Sequence, residues 1–228
     1  EIASCLVGSE MCIRDRNKDY ITLDVLDDTG LGNYANVKLP DPTLLDYYSR
    51  RDDRCILWND EIDDGFVEIY QDIIRWNRED VGKDVSKMKP IRIYINSDGG
   101  SVSAVFAIID LIKLSKVPII TIGLGKCYSS GGLLLMAGHK RLLLPSCTVL
   151  VHDGYNSSGT NATGKMLDNL EYTKELEEKI KEYILERTSI SESEYDANYR
   201  RDWWIFADEA VNKYHIADKI VTDISEII

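Results

Sequence analysis

The run Ile91-Arg-Ile-Tyr-Ile95 passes from alternating to continuous apolar and predicts a strand, which Asn96-Ser-Asp-Gly-Gly100 ends. Ser101 is placed to cap a helix running to about Lys116. Val117–Leu124 predicts a second apolar strand, and GKCYSSGG (125–132) a tight Gly/Ser turn. Leu133–Met136 opens a short apolar helix that Gly138 stops, and Leu142–Leu144 and Thr148–Val151 predict two more strands. Upstream, Tyr20–Leu26 is β-rich, DDTGLGNYANVKLPDP (27–42) is turn-rich, Thr43–Arg51 predicts a short helix and Cys55–Trp58 a strand. Phe66, Ile69, Ile73 and Trp76 share one face of a helix over Phe66–Trp76, before a charged linker at 77–89. Downstream of a polar loop (153–164), Met166, Leu170, Thr173, Leu176, Ile180 and Ile184 recur with helical period over Gly164–Arg187. That helix spans about 35 Å at ~1.5 Å per residue. It either packs as a plain surface helix or projects and mediates assembly. Residues 191–228 predict a helical pair and a last strand near Ile220–Ile224. Strands alternating with helices predict an α/β architecture with largely parallel pairing.

Composition narrows the function classes. With 228 residues and 44% hydrophobic, the chain can build a sizeable core. The formal net charge of -12 argues against nucleic acid and against an anionic membrane surface. No run approaches the ~18 apolar residues of a membrane span, and the opening residues carry no cleavable signal pattern. Five Cys, at 5, 12, 55, 127 and 147, form no CxxC pair, so neither a zinc site nor a disulfide framework is expected. The expectation is a reduced, cytoplasmic protein without metal or cofactor. The opening EIASCLVGSEMCIRDR (1–16) resembles a translated adapter string and is set apart from the fold as non-native or disordered.

The chemistry concentrates at few positions. Ser129 lies between an apolar strand and an apolar helix, where a hydroxyl can be held exposed and the Ser130 amide aimed at an oxyanion. Gly131 and Gly132 are expected to leave room for a substrate backbone. Gly99 and Gly100 follow a strand and permit close backbone approach, with Gly100 N–H a second oxyanion donor. Histidine is scarce. His152 ends the strand at Thr148–Val151; His139 sits in a basic turn and His215 late in a helix. Asp202, among Arg200, Arg201, Trp203 and Trp204, is the acid expected to be partly buried, with Asp196, Asp208 and Asp218 as rivals.

The pieces YINSDGG (94–100), GKCYSSGGLLLMAG (125–138), RLLLPSCTVLVHD (141–153) and RRDWWIFADEAVNKYHIAD (200–218), in this order, resemble the caseinolytic ClpP peptidases; DYYSRRDDRCILWNDEID (46–63) fits more weakly. The resemblance spans roughly residues 40–228. It implies a crotonase/ClpP-like α/β fold of repeated ββα units with a protruding handle helix, here 164–187. It implies an N-terminal axial segment at 17–40 and a peptidase domain at 41–228. It implies a Ser–His–Asp endopeptidase with Ser129 as nucleophile, His152 as base, Asp202 as orienting acid and the Gly100 and Ser130 amides as oxyanion donors. Its partners would be copies of itself, in heptameric rings and a tetradecamer, unfolded polypeptides, and an AAA+ unfoldase of ClpX- or ClpA/ClpC-type. The unfoldase would dock on Tyr94, Leu114, Ile122, Leu142 and Leu144.

The chain departs from many relatives. It has Asp98 where Pro is usual, Asp153-Gly154 in place of Gln-Pro, His215 for Gly, and Ser130 where Met is common. A near P-loop, GTNATGK (159–165), has Met166 where the magnesium-binding hydroxyl belongs. Three rival readings remain: a silent scaffold subunit in a mixed ring, a crotonase-type acyl-CoA enzyme, and a Ser–Lys protease using Lys165.

Overall fold

The computed structural model describes residues 20–26, 34–40, 48–63, 67–154 and 163–228, with side chains described from residue 48 onward, except at 67, 68 and 163. The chain divides into two compact units, residues 1–55 and 56–228. In the first, β1 (Tyr20–Leu26) pairs antiparallel with β2 (Tyr34–Pro40), from Tyr20↔Pro40 to Leu26↔Tyr34. β2 falls in the stretch expected to be turns. Residues 48–52 are helical; the rest of the helix expected at Thr43–Arg51 lies outside the described residues.

The second unit is built on a mixed sheet. β3 (Cys55–Trp58) is followed by α1 (Val67–Glu79), β4 (Ile91–Ser97), α2 (Val102–Leu114), β5 (Ile119–Tyr128) and α3 (Ser130–Ala137). Then come β6 (Lys140–Leu143), β7 (Thr148–Val151), α4 (Thr163–Arg187), α5 (Glu192–Asn198), β8 (Trp203–Phe206), α6 (Ala207–Asn212) and β9 (Lys219–Ile220). The strand order is β3-β4-β5-β6-β9, with β7 joining β5 and β8 joining β7. Pairings β4–β5, β5–β6, β5–β7 and β6–β9 are parallel, as the alternation of elements predicts, and β7–β8 is antiparallel.

Period-2 alternation sorts the sheet's two faces. Ile91, Ile93, Ile95 and Ile119 join the main core with Val105, Ile108, Ile112 and the helix α3. Ile122 and Leu142 point to the other face and form a second cluster with Val221 and Ile227. Ser101 caps α2 as expected, accepting from Ala104 N–H at 3.3 Å. The last turn of α4 reaches back to α3: Arg187 donates from Nε to Met136 O and from Nη2 to Gly138 O, both at 2.9 Å. These satisfy carbonyls that a helix C-terminus leaves without partners.

Three expectations are corrected. The segment 125–132 is not a turn: β5 runs on through Tyr128 and α3 begins at Ser130, leaving one residue between them. The C-terminal strand is β9 at Lys219–Ile220, while Ile224–Glu226 is a single 3₁₀ turn, and Trp203–Phe206, expected within a helical pair, is strand β8.

Candidate active site

The one residue between β5 and α3 is Ser129, with φ 53° and ψ -122°. These angles match the first central position of a type II′ turn, where glycine is the usual occupant. A serine there is strained. The neighbours over-determine it. Ser129 N–H donates to Leu150 O at 2.9 Å, and Ser129 O accepts from Gly132 and Leu133 N–H at 2.9 and 3.2 Å. Gly99 packs so closely that a Cβ on it would lie 2.7 Å from Ser129 Cβ. The result is a hydroxyl-bearing elbow between strand and helix, without the glycine that the commoner elbow sequence places two residues earlier. Ser130, also a serine, is a poor alternative nucleophile: it is 1% exposed and its Oγ donates to Gly100 O at 2.9 Å.

Sheet register brings the other two residues to the same end. Tyr128 pairs with Leu150, and Leu150 with Trp204; one row on, Val151 pairs with Trp203. Ser129 is thus one residue past β5, His152 one past β7, and Asp202 one before β8. The antiparallel ladder ends at Val151↔Trp203, one row short of His152 and Asp202. Asp153 N–H continues the contact, donating to Tyr199 O at 2.7 Å. Tyr128 and Trp204 stack edge to face at 5.0 Å across the same rows. Ser129 and His152 line one narrow cleft, with Leu133, Leu150, Ile180 and Ile184 as its apolar wall. Ile180 and Ile184 belong to the apolar stripe read in the long helix, whose outer positions Met166 and Leu170 are exposed.

The three candidate residues stand at neighbouring strand ends but are not hydrogen-bonded into a triad among the described residues. Among the described residues, neither Ser129 Oγ nor the Asp202 carboxylate makes a hydrogen bond. Asp202 is exposed, not partly buried as its tryptophan neighbours suggested, because Trp204 points outward and is 45% exposed itself. The rival acids are engaged elsewhere. Asp196 pairs with Lys181 at 2.9 Å, Asp218 with Arg141 at 2.6 Å, and Asp208 accepts from Asn212. The remaining histidines are also placed apart. His139 Nδ1 accepts from Ile119 N–H at 2.9 Å, and burial, aided by Arg187, holds its pKa below the usual value. His215 is not helical: it follows α6 with a positive φ of 49°, its Nδ1 3.0 Å from Ser189 Oγ.

Backbone geometry orients the Gly100 amide. Ile62 N–H donates to Gly99 O at 2.7 Å, and Ser101 N–H to Ile62 O at 2.6 Å. Across a trans peptide the C=O and the next N–H point oppositely. Fixing Gly99 O toward Ile62 therefore turns Gly100 N–H away from it, toward the side on which Gly100 O meets Ser130. No Cβ fits at Gly100, since one would stand 2.2 Å from Ile62 O. This role of Ile62 was not legible in the sequence. Gly131 and Gly132 are both helical, and a Cβ would meet Ser97 O at 3.2 Å and Val149 Cγ1 at 3.3 Å; Gly131 is corrected, since it does not line the cleft, whereas Gly132 does.

The five residues expected to dock a partner do not form one open surface. Tyr94, Ile122, Leu142 and Leu144 gather in the second cluster, but Ile122 and Leu142 are fully buried, covered by Val221 and Ile227. The Tyr94 hydroxyl donates to Ile227 O. Leu114 stands apart at the end of α2 and is 79% exposed. Among the described residues no cluster of His, Cys, Asp or Glu could hold a metal, and no helix is long and apolar enough to cross a membrane. Residues 159–162 of the near P-loop lie outside the described residues.

Comparison with known proteins places the geometry. The family described as Clp protease matches residues 43–223. A Prochlorococcus marinus ATP-dependent Clp protease proteolytic subunit 2 is 30% identical over 186 residues, covering 80% of this chain and 90% of the relative. Its Bifidobacterium longum counterpart is 32% identical over 177 residues, covering 71% and 84%. The solved structure of a ClpP1 mutant from Listeria monocytogenes superposes with a TM-score of 0.67 at 25% identity, covering 79% of this chain and 98% of that one.

Proposed function

The chain belongs to the Clp protease family, as a divergent member with the ClpP-type α/β fold, and from that premise we propose that it is a serine endopeptidase acting through Ser129, His152 and Asp202. The observation that carries the reading is the strained elbow at Ser129, opening into the cleft that His152 also lines. Ser129 Oγ attacks a peptide carbonyl while His152 takes its proton and then delivers it to the leaving amine; water hydrolyses the acyl-enzyme by the reverse sequence. Asp202 fixes the imidazole tautomer. The Gly100 and Ser130 amides hold the tetrahedral oxyanion, each such donor worth ~3–4 kcal/mol in the transition state. Catalytic hydrogen bonds often tighten only when substrate is bound, so the unlatched arrangement fits a resting site.

Substrates are unfolded polypeptides, and the active assembly is two stacked heptameric rings in the cytoplasm, fed by an AAA+ unfoldase. The exposed apolar stripe at Met166 and Leu170 supports ring-to-ring contact through α4. Docking of the unfoldase falls on Leu114, Tyr94 and Leu144, since Ile122 and Leu142 are covered. The test combines native mass measurement with a fluorophosphonate probe. The expected result is a ~14-subunit particle labelled once per subunit, with labelling and peptide cleavage abolished in Ser129→Ala. Continued peptide cleavage by Ser129→Ala sinks the assignment of the nucleophile. An intact particle that never labels favours a silent scaffold subunit.

A further inference from the structure

One polar side chain at the site has no part in the mechanism above: the hydroxyl of Ser130. It is buried to 1% exposure at the first residue of α3, and its proton goes to Gly100 O at 2.9 Å. Gly99 and Gly100 have φ of +105° and +140°, so the peptides around them have no side chain to hold them in place. Ile62 pins them from one side through its two backbone bonds to Gly99 and Ser101. Ser130 Oγ pins them from the other.

Resting on the peptidase reading, we propose that the Ser130 hydroxyl is a positioning group that sets the distance between the two oxyanion donors. The bond joins the glycine edge, which presents Gly100 N–H, directly to the residue that presents Ser130 N–H. An oxyanion needs both donors within about 2.7–3.1 Å of one point. A glycine peptide that rotates takes its N–H off that point while leaving substrate binding untouched. The hydroxyl thereby acts on the transition state and not on the ground state. A plain buried hydroxyl, merely satisfied by the nearest carbonyl, would contribute to stability alone.

The test uses the assembled full chain with Ser130→Ala and Ser130→Thr. Readouts are kcat and KM on a fluorogenic peptide, Ki for a peptide boronate that forms a tetrahedral adduct, Ki for the matching unreactive peptide, and the melting temperature. In Ser130→Ala, kcat falls about five- to tenfold, as loss of one neutral hydrogen bond allows. KM stays within about twofold, and boronate affinity falls by the same factor as kcat while affinity for the unreactive peptide holds. Ser130→Thr, which keeps the hydroxyl, recovers most of the rate. Wild-type kcat and boronate affinity in Ser130→Ala overturn the proposal, as does a kcat loss with boronate affinity unchanged. A fluorophosphonate probe separates the two levels of inference. If wild type labels and Ser130→Ala labels equally fast, only the positioning role fails; if wild type neither labels nor cleaves, the peptidase reading fails with it.

Discussion

The backbone strain at Ser129 can be measured by replacing the residue with glycine and, separately, with alanine. Both substitutions delete the hydroxyl, so their difference isolates the backbone. At φ 53° and ψ -122° a residue with a Cβ costs about 1–3 kcal/mol. Glycine relieves that cost but loses about 0.5–1 kcal/mol through greater freedom in the unfolded chain. At mid-range values the balance favours Ser129→Gly over Ser129→Ala by ~1 kcal/mol. For a chain of this size each kcal/mol moves the melting temperature by roughly 2–4 °C. Ser129→Gly is therefore expected to melt about 2–4 °C above Ser129→Ala. The assay is calorimetry or circular dichroism at matched protein concentration and scan rate, because assembly and irreversibility both shift apparent melting. Both proteins are expected to be inactive. Equal melting, or a less stable glycine variant, would refute the claim that the elbow is strained.

Further outcomes follow from the same geometry. Asp202→Asn loses turnover by ~10²–10⁴-fold with little change in melting, because the carboxylate is exposed and unbonded among the described residues; steady-state kinetics beside a melting curve checks it. Gly100→Ala forces a Cβ to within 2.2 Å of Ile62 O, so it breaks the two Ile62 backbone bonds and costs about 3–5 kcal/mol in a denaturant titration, strain included. Lys219, with the Thr222 amide and hydroxyl, holds Glu226 down at about 2, from 4.5. A depressed folded-state pKa gives stabilisation that is complete above 4.5 and lost as pH falls toward 2. The Ile227 amide resonance is expected to titrate near the folded-state value of about 2 and not near 4.5, and Glu226→Gln to abolish the shift.

The α/β class, the parallel pairing and the strand-end position of His152 were all legible, because each depends on local periodicity or a short apolar run. The cap at Ser101 was legible for the same reason. The GKCYSSGG segment misled because glycine marks turns more often than it marks tight packing. Gly123 and Gly125 sit inside β5, where a Cβ at Gly123 would meet Leu143 Cδ2 at 2.6 Å, and one at Gly125 would meet Asn96 Oδ1 at 2.9 Å. Those contacts are tertiary and leave no local trace. β8 was missed because Trp204 and Phe206 face outward, so the strand shows no polar alternation. The pinning of the glycine edge by Ile62 joins positions 37 and more residues apart, through main-chain atoms that any residue type supplies.

Arg187 gives the long helix a second consequence. Its guanidinium grips the terminal carbonyls of α3, and the opposite end of α3 is the residue beside Ser129. The helix is therefore a lever whose fulcrum is seated beside the candidate nucleophile. On the proposed reading, torque applied at its distant tip would reach Ser129 through the eight residues of α3, with no loop between. If copies of the chain assemble through α4, as proposed, oligomer geometry and the alignment of Ser129 become one mechanical variable, and a cross-link at the tip should alter how fast Ser129 reacts with an electrophile.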